Sequence, residues 1–224
     1  MLTWQSALVV TTLLTAGLAA PGLGQDPKGK DMGSKASPSR GSVSKEACDE
    51  ILAAWPEEAR KAAKTAIEKH GPPSEATESM LIWNHNGPWK KTIAYREEVQ
   101  HDFPMPHKDV LEQVIDYRVP VDMFDDLAAY DGSVVCERTK GEISARCDKE
   151  EMNFLAINLA HDVASGKRNV EDARAYYAKA AMAFMKGEKD PYTQGLKTGS
   201  AGTAEAGASK KDMGTADPDK PAKM

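Results

Sequence analysis

The sequence predicts an α+β domain in which an antiparallel sheet of about four strands packs against helices from the N- and C-terminal parts of the chain. Apolar residues recur at helical spacing over residues 45–70 and again over 148–185. Between residues 81 and 147 they alternate with polar residues instead, which is the pattern of strands with one buried face. Asn86-Gly87 and Lys140-Gly141 interrupt this alternation and are typical of hairpin turns.

Composition divides the 224 residues into four segments. Residues 1–24 carry no charged side chain, and their apolar run is too short to span a bilayer comfortably, so we expect an export signal cleaved before Gln25. Residues 25–44 and 193–224 have no aromatic side chain and little to bury, which predicts a disordered linker and a disordered low-complexity tail. The folded domain is therefore expected at 45–192, in a periplasmic or secreted protein.

The charge pattern and the missing motifs limit the functional classes. The net charge is −5 and the core has no basic block, so nucleic acid is not an expected partner. The sequence contains no phosphate-binding glycine loop, HExxH, CxxC or GxSxG motif, which argues against the common nucleotide, metalloprotease and hydrolase sites. We expect membrane contact only if the signal stays uncleaved.

The N-terminal part of the domain is predicted to form two helices. Ser44 is a suitable N-cap for the first, and Pro56 separates it from the second. Gly71 and the two prolines that follow it end the second helix after His70. We interpret His70 as a favourable partner of the helix dipole.

The strands follow. A strand leads through Trp83 to the Asn86-Gly87 turn, and the long strand that begins at Trp89 is expected to contain a bulge near Glu97-Glu98. The prolines at 104 and 106 make the segment from His101 to His107 an extended connector. Another strand then runs from Val110, and a short helix is predicted over residues 121–129.

The second hairpin contains two of the three cysteines. A two-residue turn would place Cys136 opposite Ala145, with Cys136 and Cys147 on one face but in diagonal positions. Two interpretations are open, a Cys136–Cys147 disulfide or two small buried thiols. Any one disulfide leaves a thiol unpaired, because Cys48 makes the count odd.

The C-terminal part is predicted to form two helices. Asp148 and Glu151 resemble a capping pair for the first, and Asn169 is a suitable N-cap for the second. The first helix is apolar on two faces, so we interpret His161 as a hydrogen-bonded core histidine.

Candidate functional residues concentrate between residues 83 and 107. The leading hypothesis is a non-enzymatic module that binds a small ligand or an envelope protein on an aromatic face with a few polar groups. The residues expected to form this ligand-binding face are Trp83, Trp89, Tyr95, Glu97, His101 and Asp102.

Two alternatives use the same region. No resident cofactor is expected under the leading hypothesis, but imidazole and thioether groups suit Cu or Zn. The metal hypothesis assigns the ligands to His85, His101, Met105 and His107. The enzyme hypothesis is a small hydrolase that uses carboxylates near the aromatic face as acid and base, with Glu97, Asp102 and Asp116 as the candidates.

Two stretches of the chain resemble a known group of proteins. GPWKKTIAYREEVQHDFPMPHKDVLEQVIDYRVP and the later YDGSVVCERTKGEISARCDKEEMNFLAINLAHD resemble a family of exported bacterial proteins of unknown function. The resemblance covers Trp83 to Asp162, a little over a third of the chain. It implies a bacterial, exported context and carries over no functional residues.

Overall fold

A computed structural model describes residues 42–198. Residues 1–41 and 199–224, which hold the predicted export signal and most of the predicted linker and tail, lie outside the described residues. The helices are α1 (Lys45–Ala53), α2 (Glu57–His70), α3 (Phe124–Tyr130), α4 (Glu150–Ala164) and α5 (Val170–Met185). The strands are β1 (Glu75–Ala76), β2 (Met80–Asn86), β3 (Trp89–His101), β4 (His107–Asp116), β5 (Val134–Glu137) and β6 (Glu142–Cys147). Short 3-10 helices span Val121–Met123 and Pro191–Thr193.

The strands form one antiparallel sheet in the order β1-β2-β3-β4-β6-β5. The predicted α+β class is confirmed, with six strands rather than about four. Strand β1 is only two residues long, too short to leave an alternating pattern in the sequence.

Helices from both ends of the chain cover the sheet. One apolar cluster packs α1 and α2 against β2, β3 and β4, with Trp55 and Trp83 among its buried side chains. A second cluster packs α3, α4 and α5 against β4, β5 and β6, with Tyr130 and Leu155 fully buried. Among the described residues, no helix combines the length and apolarity needed to cross a bilayer.

The predicted helix caps are confirmed at two of three places. The Ser44 hydroxyl accepts from the Ala47 amide at 3.2 Å, and the Asn169 side chain accepts from the Asp172 amide at 2.8 Å. The prediction that Asp148 caps the next helix is wrong. Helix α4 begins at Glu150, and its cap position, Lys149, makes no side-chain capping bond.

The bulge predicted in the long strand is confirmed between Ala94 and Val99, where the register of β3 against β4 shifts. Glu98, which lies in this bulge, contacts the start of helix α2. The Glu98 carboxylate accepts from the amides of Glu58 and Ala59 at 3.1 and 3.2 Å. These amides lie in the first turn of α2, where they have no partner within the helix, so Glu98 caps α2 from the sheet.

The hypothesis of a Cys136–Cys147 disulfide is wrong. Cys136 lies opposite Ile143, not Ala145, because four residues rather than two connect β5 and β6. Cys147 is four residues beyond Ile143, roughly 13 Å along the strand at about 3.3 Å per residue. A disulfide requires Cα atoms closer than about 7 Å. The three cysteines in the described part of the chain are free thiols, and Cys48 and Cys147 are buried.

Ordered packing continues past the predicted domain end at residue 192. Thr193 is buried, and the Asn158 side-chain amide donates to the Gly195 carbonyl at 2.9 Å. The Asn158 carbonyl oxygen accepts from the Lys197 amide at 2.6 Å. Residues 193–198, which were predicted to belong to the tail, therefore pack on α4.

Candidate metal centre

The register of β3 and β4 brings together the residues of the candidate site. His101, the last residue of β3, lies directly opposite His107, the first residue of β4. Asp109 follows two residues later and therefore points to the same side of β4 as His107. Opposed residues in an antiparallel pair have Cβ atoms about 5 Å apart, so the three side chains converge. We call His101, His107 and Asp109 the His–Asp centre.

The distances within the centre are short. His101 Nδ1 lies 3.3 Å from one Asp109 oxygen, and His107 Nε2 lies 3.2 Å from the other. The two imidazole centroids are 4.9 Å apart. One potential ligand atom from each residue lies within 4.8 Å of the other two. The Asp109 side chain is 6% exposed, so the carboxylate has little access to water.

The outward nitrogen of each imidazole faces an acceptor. His107 Nδ1 lies 2.9 Å from the Met105 carbonyl, to which it can only donate. His101 Nε2 lies 3.6 Å from an oxygen of Asp131, a buried carboxylate held by the amide and hydroxyl of Ser133 at 3.0 Å each. A proton on each outward nitrogen leaves a lone pair on the inward one. Metal-binding histidines show this arrangement.

Two of the inward atoms lack hydrogen bonds. His101 Nδ1 and Asp109 Oδ1 are both buried, and neither has a hydrogen-bond partner among the described residues. Their neighbours are close enough for an ion pair but are not aligned for a hydrogen bond. A buried polar atom without a partner costs about 1–3 kcal/mol, and a bound cation would remove this cost.

The charges of the centre reinforce one another. Burial raises the pKa of Asp109, but the two histidines outweigh it, and the net pKa is lower than usual. Asp109 raises the pKa of His101. Burial lowers the pKa of His107, but Asp109 and the Cys147 sulfur raise it more strongly, to about 11. Burial also raises the pKa of Asp131. The centre thus combines an ionised carboxylate with imidazoles whose protonated forms it favours, and a metal ion would have to displace any inward proton.

Two of the four predicted metal ligands lie close together in the structure. His101 and His107 meet, as the hypothesis required. The Met105 carbonyl accepts a hydrogen bond from His107 Nδ1, and Met105 also lines a neighbouring cavity. His85 is wrong. It is exposed beside the β2–β3 turn, at the opposite end of β3 and roughly 35 Å from His101 at about 3.3 Å per residue.

Asp109 is the member of the centre that the sequence reasoning missed. The sequence does hold a signal for it. Two strands joined by the short loop 102–106 place position 109 on the same side as position 107. The predicted strand started too late, at Val110, to include it. Asp131 comes from the turn after α3 and has no local sequence signal.

The predicted ligand-binding face is wrong at its two tryptophans. Trp83 is 2% exposed and donates from its indole nitrogen to the Gly71 carbonyl at 2.8 Å. Trp89 is 1% exposed and stacks on Phe154 with ring centroids 4.7 Å apart. Both are core residues, because their positions on β2 and β3 face the covering helices.

The other residues assigned to that face are half-buried or exposed. The Tyr95 hydroxyl donates to Glu112 at 2.6 Å, beneath the guanidinium of Arg146. Glu97 is exposed near the bulge, and Asp102 is exposed and accepts from Gln100 at 2.8 Å.

Of the carboxylates proposed for an enzyme, Asp116 pairs with Lys90 at 2.6 Å. Glu97 and Asp102 lie on the exposed surface. These carboxylates are not assembled with the His–Asp centre, whose own carboxylate is Asp109.

No family model, curated protein or solved structure matches this chain. A functional conclusion must therefore come from the geometry and chemistry of the site.

Proposed function

We propose that this protein binds one divalent transition-metal ion, Zn²⁺ or Cu²⁺, at the His–Asp centre. One observation carries the proposal. Three side chains direct potential ligand atoms at one point, and two of these atoms, His101 Nδ1 and Asp109 Oδ1, are buried without a hydrogen-bond partner among the described residues.

The spacing of the ligand atoms fits a small ion. Zn²⁺ binds imidazole nitrogen and carboxylate oxygen at about 2.0–2.1 Å, usually with tetrahedral geometry. Two ligands at that distance in a tetrahedron lie about 3.3 Å apart. The nitrogen-to-oxygen distances in the centre are 3.3 Å from His101 and 3.2 Å from His107. Since the two nitrogens lie near different oxygens of Asp109, one ion would be held either by both oxygens or by a single oxygen after the carboxylate turns.

The chemistry of the ligand set narrows the choice of ion. Imidazole suits Zn and Cu, whereas Ca²⁺ and Mg²⁺ prefer sites built from oxygen alone. Three protein ligands leave a fourth coordination position for water or another molecule. The proposed activity remains that of a binding module, with a metal ion in place of the aromatic-face ligand.

We extend the proposal to an extracytoplasmic setting. The apolar, uncharged residues 1–24 and the resemblance to exported bacterial proteins support export. In this setting the protein would hold or deliver metal outside the cytoplasm, with an envelope protein as a candidate partner.

The test is metal binding by the purified protein and three variants, measured by calorimetry with Zn²⁺ and Cu²⁺ and by elemental analysis. We expect one ion per chain in the wild type. Asp109→Asn and the double variant His101→Ala/His107→Ala should bind at least about 100-fold more weakly, because they lose inward ligands.

His85→Ala is the matched control, since it removes an exposed imidazole far from the centre. It should bind like the wild type. Equal binding by the wild type and Asp109→Asn, or no binding by the wild type, would overturn the proposal and leave the centre as a structural ion-pair cluster.

A further inference from the structure

We infer that Cu(I) is a preferred cargo of this protein, taken up through a sulfur-lined cavity and held by Cys147 together with His107. The inference rests on the proposed metal-binding function and names the ion and its route.

The cavity lies beside the His–Asp centre. It has a volume of about 180 Å³. It is lined by His107, by the 104–106 segment, by residues at the start of α4 and by the C-terminal half of α5. Four of its lining residues carry sulfur, namely Met105, Cys147, Met152 and Met185. Residues 42–198 contain six methionines, so half of them meet at this one cavity. Thiolate binds both Cu(I) and Zn²⁺, but thioether is a soft ligand that suits Cu(I), so a cavity with three methionines favours Cu(I) over Zn²⁺ and over oxygen-preferring ions.

His107 connects this cavity to the centre. The Cys147 sulfur lies 3.4 Å from His107 Nε2, the same nitrogen that faces Asp109. The imidazole therefore stands between an oxygen and nitrogen set on one side and a sulfur set on the other. Binding of Cu(I) would replace the Cys147 thiol proton and the Nε2 proton of the His107 imidazolium, both of which pass to solvent, and would form one Cu–S and one Cu–N bond without any change of oxidation state.

The methionines lie at different depths. Met185 is 69% exposed, an unusual position for a large apolar side chain, whereas Met152 is 6% exposed. The two methionines therefore line the exposed and the buried part of the cavity that Cys147 also lines. A soft ion that enters from solvent could bind first to Met185 and then to the deeper ligands.

Methionine also fills gaps in cores, so the inference needs a control that separates packing from metal binding. Met182 provides it. It is 50% exposed on the same helix as Met185 but does not line the cavity. Leucine replaces methionine at little cost in volume and lacks sulfur, so Met→Leu changes test the sulfur itself.

The experiment titrates Cu(I) against a chromophoric chelator without oxygen, using the full chain. Zn²⁺ calorimetry is run on the same samples. We expect Cys147→Ser to weaken Cu(I) binding by at least about 100-fold and Zn²⁺ binding by less than about 3-fold, because the His–Asp centre proposed for Zn²⁺ does not include Cys147. Met185→Leu should weaken or slow Cu(I) uptake several-fold. Met182→Leu should leave it unchanged.

X-ray absorption of the wild-type protein loaded with Cu(I) gives a second readout that does not depend on a variant folding. Sulfur in the first coordination shell supports the inference, and a shell of nitrogen and oxygen alone overturns it. Unchanged Cu(I) affinity in Cys147→Ser also overturns it. If Zn²⁺ binding still depends on Asp109 in that case, the proposed function stands while the inference fails. Loss of Asp109 dependence is the separate failure of the proposed function.

Discussion

Histidines meet buried carboxylates at two places in the described residues, one at Glu150 and one at the His–Asp centre, and the two contacts differ in how many of their polar atoms have hydrogen-bond partners. His70, at the end of α2, lies 2.6 Å from Glu150 in a hydrogen bond, and the Lys69 ammonium lies 3.4 Å from the same carboxylate. In the His–Asp centre the corresponding separations are 3.2 and 3.3 Å, and Asp109 Oδ1 has no hydrogen-bond partner among the described residues.

This difference separates a structural contact from a candidate site. The carboxylate of Glu150 joins α2 to α4 and has its partners in place. The carboxylate of Asp109 stands between two imidazoles whose outward nitrogens face fixed acceptors, and a bound cation would supply the partner that Asp109 Oδ1 lacks. Burial and charge alone do not distinguish the two contacts. What distinguishes them is whether the buried polar atoms have hydrogen-bond partners.

The largest expected effect is stabilisation by metal. A ligand that binds only the folded state stabilises it by about 4 kcal/mol at 1,000 times its Kd. We expect Zn²⁺ at that excess to raise the free energy of unfolding of the wild type by this amount, measured by urea denaturation. Glu150→Gln should gain as much, because its centre is intact, and Asp109→Asn should gain almost nothing. Equal gains in Asp109→Asn and the wild type would contradict the distinction between the two contacts.

The next effect appears without metal. Breaking a buried ion pair costs about 3 kcal/mol, so Glu150→Gln should lower the free energy of unfolding by about that amount. Asp109→Asn should also lower it, because a buried carboxylate is lost from between two imidazoles, but by less than Glu150→Gln, since Asp109 Oδ1 makes no hydrogen bond that the change could remove. Chelator-treated samples in urea denaturation give both numbers. A larger loss in Asp109→Asn than in Glu150→Gln would show that the centre is the better satisfied contact.

The contrast between the two contacts also shows which features of the fold and of the candidate site could be predicted from the sequence. The α+β class, the β3 bulge and the caps of α1 and α5 follow from local patterns, and these predictions are confirmed. His101 and His107 could be chosen as candidates because prolines mark the connector between them. Their convergence could have been predicted only by treating the two flanking strands as one hairpin, which also brings in Asp109.

Other features depend on contacts between distant parts of the chain. The sequence places Trp83 and Trp89 on strands, but it does not say that α1, α2 and α4 cover that side. The pairing of His70 with Glu150 joins residues 80 positions apart and has no local pattern. Asp131 likewise reaches His101 only because α3 and β5 pack beside the end of β3. Packing of this kind decides which polar groups are buried and is not encoded in short-range periodicity.

The smallest expected effect is the response of the two contacts to acid. Burial raises the pKa of Glu150, but the hydrogen bond from His70 and the charge of Lys69 outweigh it, so the net pKa lies below its ordinary value of 4.5. A carboxylate with a depressed pKa contributes stability above its unfolded pKa and loses that contribution as the pH falls through the folded value.

Between pH 7 and pH 3 the wild type should therefore lose more stability than Glu150→Gln. We expect a difference below about 1 kcal/mol, since part of the carboxylate is screened by solvent. Urea denaturation at a series of pH values checks it, and the subtraction cancels the other carboxylates with lowered pKa, Asp109 and Asp162, which both proteins share. Parallel acid profiles for the two proteins would mean that the contact between His70 and Glu150 is not the stabilising ion pair that its 2.6 Å geometry indicates.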